Sequence, residues 1–137
     1  GDLGYKIPAE FMPELYFHKR GALAAAREGN DVNPEKASSA SQFYIVWGTV
    51  FTKEQLKRFA EVYGKRLGKE IKFTPEQEKA YTTIGGTPHL DGEYTVFGEV
   101  VKGLEVVDII QRKRCDKNDR PLENVRILNV ELVKLKK

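Results

Sequence analysis

The segment Ser41-Gln42-Phe43-Tyr44-Ile45 does more than any other to limit what this chain can fold into. Aromatic and β-branched residues from Gln42 to Val50 read as a strand. Strand side chains alternate with period two, so Gln42 and Tyr44 face one way and Phe43 and Ile45 the other. One face carries an amide and an aromatic ring, and the other carries plain hydrophobes. A second segment, Leu90-Asp91-Gly92-Glu93-Tyr94-Thr95-Val96-Phe97-Gly98-Glu99-Val100, places a tight turn at Asp91-Gly92. The turn presents Leu90 on one side and Tyr94 on the other, before a strand over Tyr94–Val101. An exposed amide, two aromatics and a leucine on neighbouring strands form a shallow apolar dish with one polar clamp. Such a dish suits a proline ring.

Around these two segments the chain reads as strands and helices joined by polar loops. Residues 1–20 are expected to be irregular, because Pro8 and Pro13 break any helix. Gly21–Ala26 reads as a short, closely packed strand, although alanine alone favours helix. Arg27–Ala40 reads as a loop. Residues 51–86 read as a helical insertion with two capping boxes, Thr52-Lys53-Glu54-Gln55 and Thr74-Pro75-Glu76-Gln77. Leu56, Phe59, Ala60, Tyr63 and Leu67 recur on one helical face of its first half. The insertion reads either as a surface elaboration that buries its own stripe or as a partner-binding device. A further helix is expected over 104–112 and a final strand over Val125–Val133, which makes the remaining helices 52–67 and 75–83.

With 137 residues the chain has single-domain length and needs no disulfide or metal to bury a core. Its one cysteine, Cys115, has no internal partner, and His18 and His89 stand isolated in sequence, so neither a metal site nor a cofactor is expected. No apolar run reaches membrane-spanning length. No signal peptide is visible, but the natural N-terminus is expected to be missing, so the compartment is left open. The net charge is only +3. Lys65-Arg66, Arg112-Lys113-Arg114 and Lys134-Leu135-Lys136-Lys137 read as solvated helix ends and a polar tail rather than a nucleic-acid surface.

The chain resembles the cyclophilins, and most closely their bacterial branch. The resemblance rests on the two segments above and on Gly4-Tyr5-Lys6-Ile7-Pro8-Ala9-Glu10-Phe11, Gly21-Ala22-Leu23-Ala24-Ala25-Ala26-Arg27, Ala37-Ser38-Ser39-Ala40-Ser41-Gln42-Phe43 and Val100-Val101-Lys102-Gly103-Leu104-Glu105-Val106-Val107-Asp108, in family order. It covers roughly residues 1–50 and 85–137. It implies a mainly β fold with helices, a cyclophilin-like antiparallel β-barrel of which this chain supplies about half the strands, interrupted by the insertion at 51–86. The whole of 1–137 is expected to be one such domain, incomplete at its N-terminus.

The implied activity is peptidyl-prolyl cis-trans isomerisation, assisting folding by acting on X-Pro bonds of proline-containing peptides or unfolded proteins. The resemblance implies that Tyr44, Leu90 and Tyr94 line the proline pocket. It implies that Gln42 holds the substrate backbone, and that Ala26 and Arg27 form the strand edge that pairs with it. The family's catalytic arginine lies in a Phe-His-Arg-Val-like motif that has no counterpart here. Phe17-His18-Lys19-Arg20 imitates that motif but belongs by position to the next family segment, so Arg20 is not assigned the role. Tyr94 stands where histidine is common in the family, and His89 where many relatives carry tryptophan.

The alternative reading is a non-catalytic module that docks proline-containing peptides. Neither reading calls for nucleic acid or membrane. Half a barrel is expected to leave strand edges open. Self-association, or complementation by the missing N-terminal segment, is therefore expected, with little activity from the chain alone.

Overall fold

In the computed structural model, residues 3–134 are described. Residues 1–2 and, of the basic tail read above, Leu135, Lys136 and Lys137 lie outside the described residues. The chain forms two compact units, Gly1–Lys102 and Gly103–Lys137.

The first unit is built on a three-stranded antiparallel sheet. Strand β2, Ala22–Ala25, lies at its centre, flanked by β4, Phe43–Ile45, and β5, Val96–Glu99. All three strands are shorter than the sequence reading, which extended them to 21–26, 42–50 and 94–101. The centre is an alanine run because neighbours approach from both faces: Ala22, Ala24 and Ala25 are all buried. The register pairs Leu23 with Ile45, Ala24 with Tyr44 and Ala25 with Phe43, and Ala24 also pairs with Val96. An irregularity in the β2–β5 pairing lies between Leu23 and Ala24. Tyr44 therefore shares a face with Ala24 and Val96, whereas Phe43 and Ile45 share the opposite face with Leu23, as the alternation requires. That second face is not a closed core. Phe43 is 59% exposed and Ile45 38%.

A second sheet, unforeseen in the sequence, pairs β1, Lys6–Ile7, with β3, Ser38–Ser39. Two residues per strand, without hydrophobic alternation, give a sequence reader no periodic signal.

The two helices expected within residues 51–86 form as read. Helix α1 spans Lys53–Leu67 and α2 spans Pro75–Thr83, and each is opened by a reciprocal capping box on Thr52 or Thr74. Gly68 ends α1 in the left-handed region at φ 69°. Leu56 of α1 and Tyr81 of α2 are buried together with Phe17, and Phe51, Phe73 and Ala80 pack around them. Phe17 and Tyr81 meet edge to face at 5.5 Å. The Gln77 amide nitrogen also donates to the Pro13 carbonyl at 2.5 Å. Leu56 of the stripe is thus buried against Phe17 as well as against α2, whereas Leu67 at its far end is 41% exposed.

Gly85 and Gly86 return the chain from α2 to the sheet. The Gly86 backbone bridges to both Lys19 and Thr49, so two chain segments close on one residue. A methyl group there would overlap the His18 carbonyl oxygen. It would also lie 2.8 Å from Lys19 Cα and 2.9 Å from the Tyr81 ring.

The second unit contains helix α3, Leu104–Gln111, entered through Gly103 at φ 86°. The strand expected over Val125–Val133 does not form. These residues carry no regular secondary structure and are exposed, with Leu128 at 94% and Leu132 fully exposed. Alternation makes a strand possible, but a ladder partner makes it stable, and none pairs with 125–134 among the described residues.

Gly86→Ala should destabilise the fold by about 1–3 kcal/mol, since rigid backbone surrounds the missing methyl. Denaturant unfolding followed by circular dichroism measures this; an unchanged midpoint would show that the contact relaxes freely.

Candidate active site

The face of the sheet that carries Tyr44 continues into the turn at Asp91-Gly92. Pro88–Leu90 makes one 3-10 turn, and the Leu90 carbonyl accepts from the backbone N–H groups of Glu93 and Tyr94. Gly92, at φ 76°, supplies the left-handed position that the turn needs. This local folding sets Tyr94 against Tyr44, edge to face with centroids 5.8 Å apart. The Arg27 guanidinium lies 4.5 Å over the other ring of the pair, that of Tyr94.

Arg27 is held tightly. Its Nε donates to the Glu93 carbonyl at 2.6 Å, and Nη1 donates to the Glu28 carbonyl at 3.0 Å and to Asn30 Oδ1 at 2.9 Å. Nη2 reaches the Glu93 carboxylate at 3.4 Å, and Lys36 Nζ lies 2.6 Å from the same carboxylate oxygen. The side chain of Arg27 is only 5% exposed. Arg27 therefore fixes Glu93 and Tyr94 rather than standing free.

Gln42 is exposed, with Ser39 Oγ accepting its backbone N–H at 3.1 Å, and it lines a groove with Tyr5, Lys6, Arg27 and Glu28. Leu90 is half-buried in the turn. Ala26 is already paired: its N–H donates to the Gln42 carbonyl at 3.0 Å and its carbonyl accepts from Ser39 N–H at 2.8 Å. The structure thus brings Tyr44, Tyr94 and Arg27 into contact and sets Gln42 beside Arg27. It spends the Ala26 main chain on neighbouring segments.

Arg20 is directed elsewhere. It donates to the Trp47 carbonyl at 3.0 Å and the Gly48 carbonyl at 3.1 Å, with its guanidinium 4.3 Å over the Trp47 ring.

Three residues under the dish escaped the sequence reading. His18, read there as isolated, is 1% exposed and bonds at both ring nitrogens: Nδ1 to Asp91 Oδ1 and Nε2 to the Tyr44 hydroxyl, each at 2.9 Å. The His18 backbone N–H donates to the same carboxylate oxygen at 2.8 Å, and the Tyr81 hydroxyl donates to Asp91 Oδ2 at 2.5 Å. His18 and Asp91 lie 73 positions apart, beyond the reach of any spacing rule. The only local hint was an acidic residue in a turn, which already had a sufficient explanation.

Burial holds the Tyr44 phenol well above its ordinary value of 10.0, helped by Tyr94 and Asp91 and opposed by Arg27. Burial, then the charge and hydrogen bond of Asp91, raises Tyr81 as well, against a smaller opposing effect of the His18 backbone. His89 is lowered by partial burial and by nearby His18, partly offset by Asp91.

A raised folded value favours the neutral phenol, so this contribution to stability is complete below about pH 10 and fades as pH rises through the folded value. Tyr44 and Tyr81 should therefore resist ionisation above pH 10 until the fold is lost. Phenolate absorbance of the parent and of Tyr81→Phe, recorded beside circular dichroism, checks this. Loss of a phenolate contribution on substitution while the parent stays native in alkali would refute it for Tyr81.

Comparison with known proteins places these features in a family. The family model for cyclophilin type peptidyl-prolyl cis-trans isomerases matches residues 1–132. The chain is 37% identical over 98 residues to peptidyl-prolyl cis-trans isomerase CYP71 of Arabidopsis thaliana, covering 65% of this chain and 14% of that protein. It is 31% identical over 134 residues to peptidyl-prolyl cis-trans isomerase A of Mycobacterium tuberculosis, covering 96% of this chain and 50% of the relative. It is 47% identical over 58 residues to peptidyl-prolyl cis-trans isomerase 9 of Caenorhabditis briggsae, covering 42% of this chain and 18% of the relative. The chain thus spans half or less of the length of these three relatives. Two antiparallel sheets with three helices are consistent with the family's fold. This chain belongs to the cyclophilin-type peptidyl-prolyl cis-trans isomerases.

Proposed function

We propose that the chain carries the substrate-binding side of a prolyl isomerase site that acts on proline-containing peptides or unfolded proteins. In this reading Tyr44, Leu90 and Tyr94 receive the proline ring, and Gln42 with the edge at Ala26 and Arg27 holds the adjoining backbone. The observation that carries it is the edge-to-face pair of Tyr44 and Tyr94 beside the Asp91-Gly92 turn, with Arg27 bracing the second ring. Because the Ala26 main chain is already paired, backbone pairing at that edge falls to Arg27.

The chemistry needs no nucleophile and no cofactor. Amide resonance imposes a barrier of roughly 18–20 kcal/mol. The barrier falls when a site binds the twisted bond better than either planar isomer. An apolar seat for the ring and polar groups for the backbone accomplish part of this; a donor to the prolyl nitrogen accomplishes the rest. Arg20 is committed to Trp47 and Gly48, and Arg27 to Glu28, Asn30 and Glu93. We therefore assign that donor to neither arginine. The same commitment favours, as second reading, a module that binds proline peptides while isomerising them slowly.

The finer architecture follows from the sheet. In the order β4-β2-β5, both outer strands offer an open hydrogen-bonding edge, and Phe43, Ile45 and Phe97 are exposed beside them. We take residues 1–137 as one domain of this family, with 51–86 inserted, that contributes about half the strands of a cyclophilin-like barrel. Edges of this kind pair with further strands. Those strands are supplied by a second copy or by a complementary segment preceding this one in the fold.

Tyr44→Ala should weaken binding of a proline-containing peptide by about 1–3 kcal/mol. Titration followed by NMR, with circular dichroism to confirm the fold, measures it. Unchanged affinity would reduce Tyr44 to scaffold, and family-like isomerisation rates in the parent would reject the slow-module reading.

At micromolar concentration the isolated chain should sediment as more than a monomer, or become one well-behaved species when the complementary strands are added. A monomer indifferent to them would remove the barrel assignment.

A further inference from the structure

Tyr81 of α2 is fully buried in the core it forms with Leu56 of α1 and Phe17, yet its hydroxyl does not end in that core. It donates to Asp91 Oδ2 at 2.5 Å, while Asp91 Oδ1 accepts from the backbone and the ring Nδ1 of His18 at 2.8 and 2.9 Å. The other ring nitrogen of His18 lies 2.9 Å from the Tyr44 hydroxyl. The His18 and Tyr44 rings also stack, with 6.1 Å between centroids and 20° between planes. One unbroken series of contacts therefore joins the insertion to the aromatic dish.

Counting donors and acceptors gives this series a direction. An ionised carboxylate only accepts, so Nδ1 of His18 carries a proton. With His18 neutral, its single lone pair lies at Nε2 and the Tyr44 O–H is the group that meets it, whereas an imidazolium would reverse that contact. In that neutral state Tyr44 spends its one proton inward, and toward a ligand its oxygen offers lone pairs only.

We propose that Tyr81, Asp91 and His18 are positioning residues for Tyr44: through them the helical insertion fixes the Tyr44 ring and turns its hydroxyl proton away from the ligand. The specificity consequence is definite. A ligand group placed over the Tyr44 oxygen must be a donor, such as a peptide N–H; a carbonyl there meets lone pairs and is disfavoured. That consequence rests on the proline-peptide reading above, whereas the relay itself does not.

The test uses the full chain and the variant Tyr81→Phe, which removes one oxygen and keeps the ring contacts with Phe17 and Phe73. Nitrogen NMR of the unliganded parent should show His18 protonated at Nδ1 and bare at Nε2. Tyr81→Phe should shift the His18 Nε2 and Tyr44 ring signals and make the Tyr44 ring flip faster. Affinity for a proline-containing peptide should fall about three- to tenfold. Combined with Tyr44→Phe, which cuts the same relay at its far end, the losses should be less than additive.

A proton on Nε2 in the parent, unmoved Tyr44 and His18 signals in Tyr81→Phe, or strictly additive losses would each overturn the proposal. Should Tyr81→Phe fail to fold, Tyr44→Phe probes the relay from its half-buried end and must shift the Tyr81 ring signals. Should the parent bind no proline peptide, the functional reading falls, and the unliganded spectra still decide the relay.

Discussion

The Asp91 carboxylate is the constraint on which this site depends. It is only 10% exposed, and a charge so removed from water needs compensating donors. It finds three: the His18 backbone, the His18 ring and the Tyr81 hydroxyl. These donors come from the segment leading into β2 and from α2, so one side chain ties the turn, the sheet and the helix pair together. Leu90 and Tyr94 flank Asp91 in the same turn, and their places in the dish follow from that tie. Removing the carboxylate would strand several buried donors at once, a far larger cost than the loss of one contact.

The sheet shows a different economy. Alanines at the centre of β2 let neighbouring groups approach closely, and Tyr44 gains a rigid support directly opposite Ala24. The other face, with Phe43 and Ile45 substantially exposed, gains no such closure from the described residues. Apolar area left in water beside open strand edges is a standing drive toward further strand pairing.

Charge is placed with the same consequence for function. Arg27, Glu93 and Lys36 form a compact cluster that holds the Tyr94 side of the dish, and Arg20 is bound to the Trp47 ring and nearby carbonyls. A guanidinium held to carbonyls and a carboxylate, or to carbonyls and a ring, is a brace rather than a mobile donor to a substrate nitrogen. Seating a proline ring and accelerating its isomerisation are separate physical tasks, and the reading proposed above gives the groups around Tyr44 and Tyr94 the first.

Much of the local structure was legible in the residues. The capping boxes at Thr52 and Thr74 located α1 and α2 to within a residue, because a cap is satisfied within one turn of its own sequence. Period-two alternation separated Tyr44 from Phe43 and Ile45, and the Asp91-Gly92 pair marked the turn, for the same reason of short range. Alternation over Val125–Val133 misled, because pairing is a property of two segments and only one is visible in a periodic pattern. What tertiary structure alone decided was which distant groups meet. His18 looked isolated until Asp91, 73 residues away, and Tyr44 met its two ring nitrogens; Tyr81 drew no notice in the sequence, yet its hydroxyl reaches that carboxylate. Local geometry is written in neighbouring residues, whereas the partner of a buried polar group is set only when folding removes water and leaves it a single place to bond.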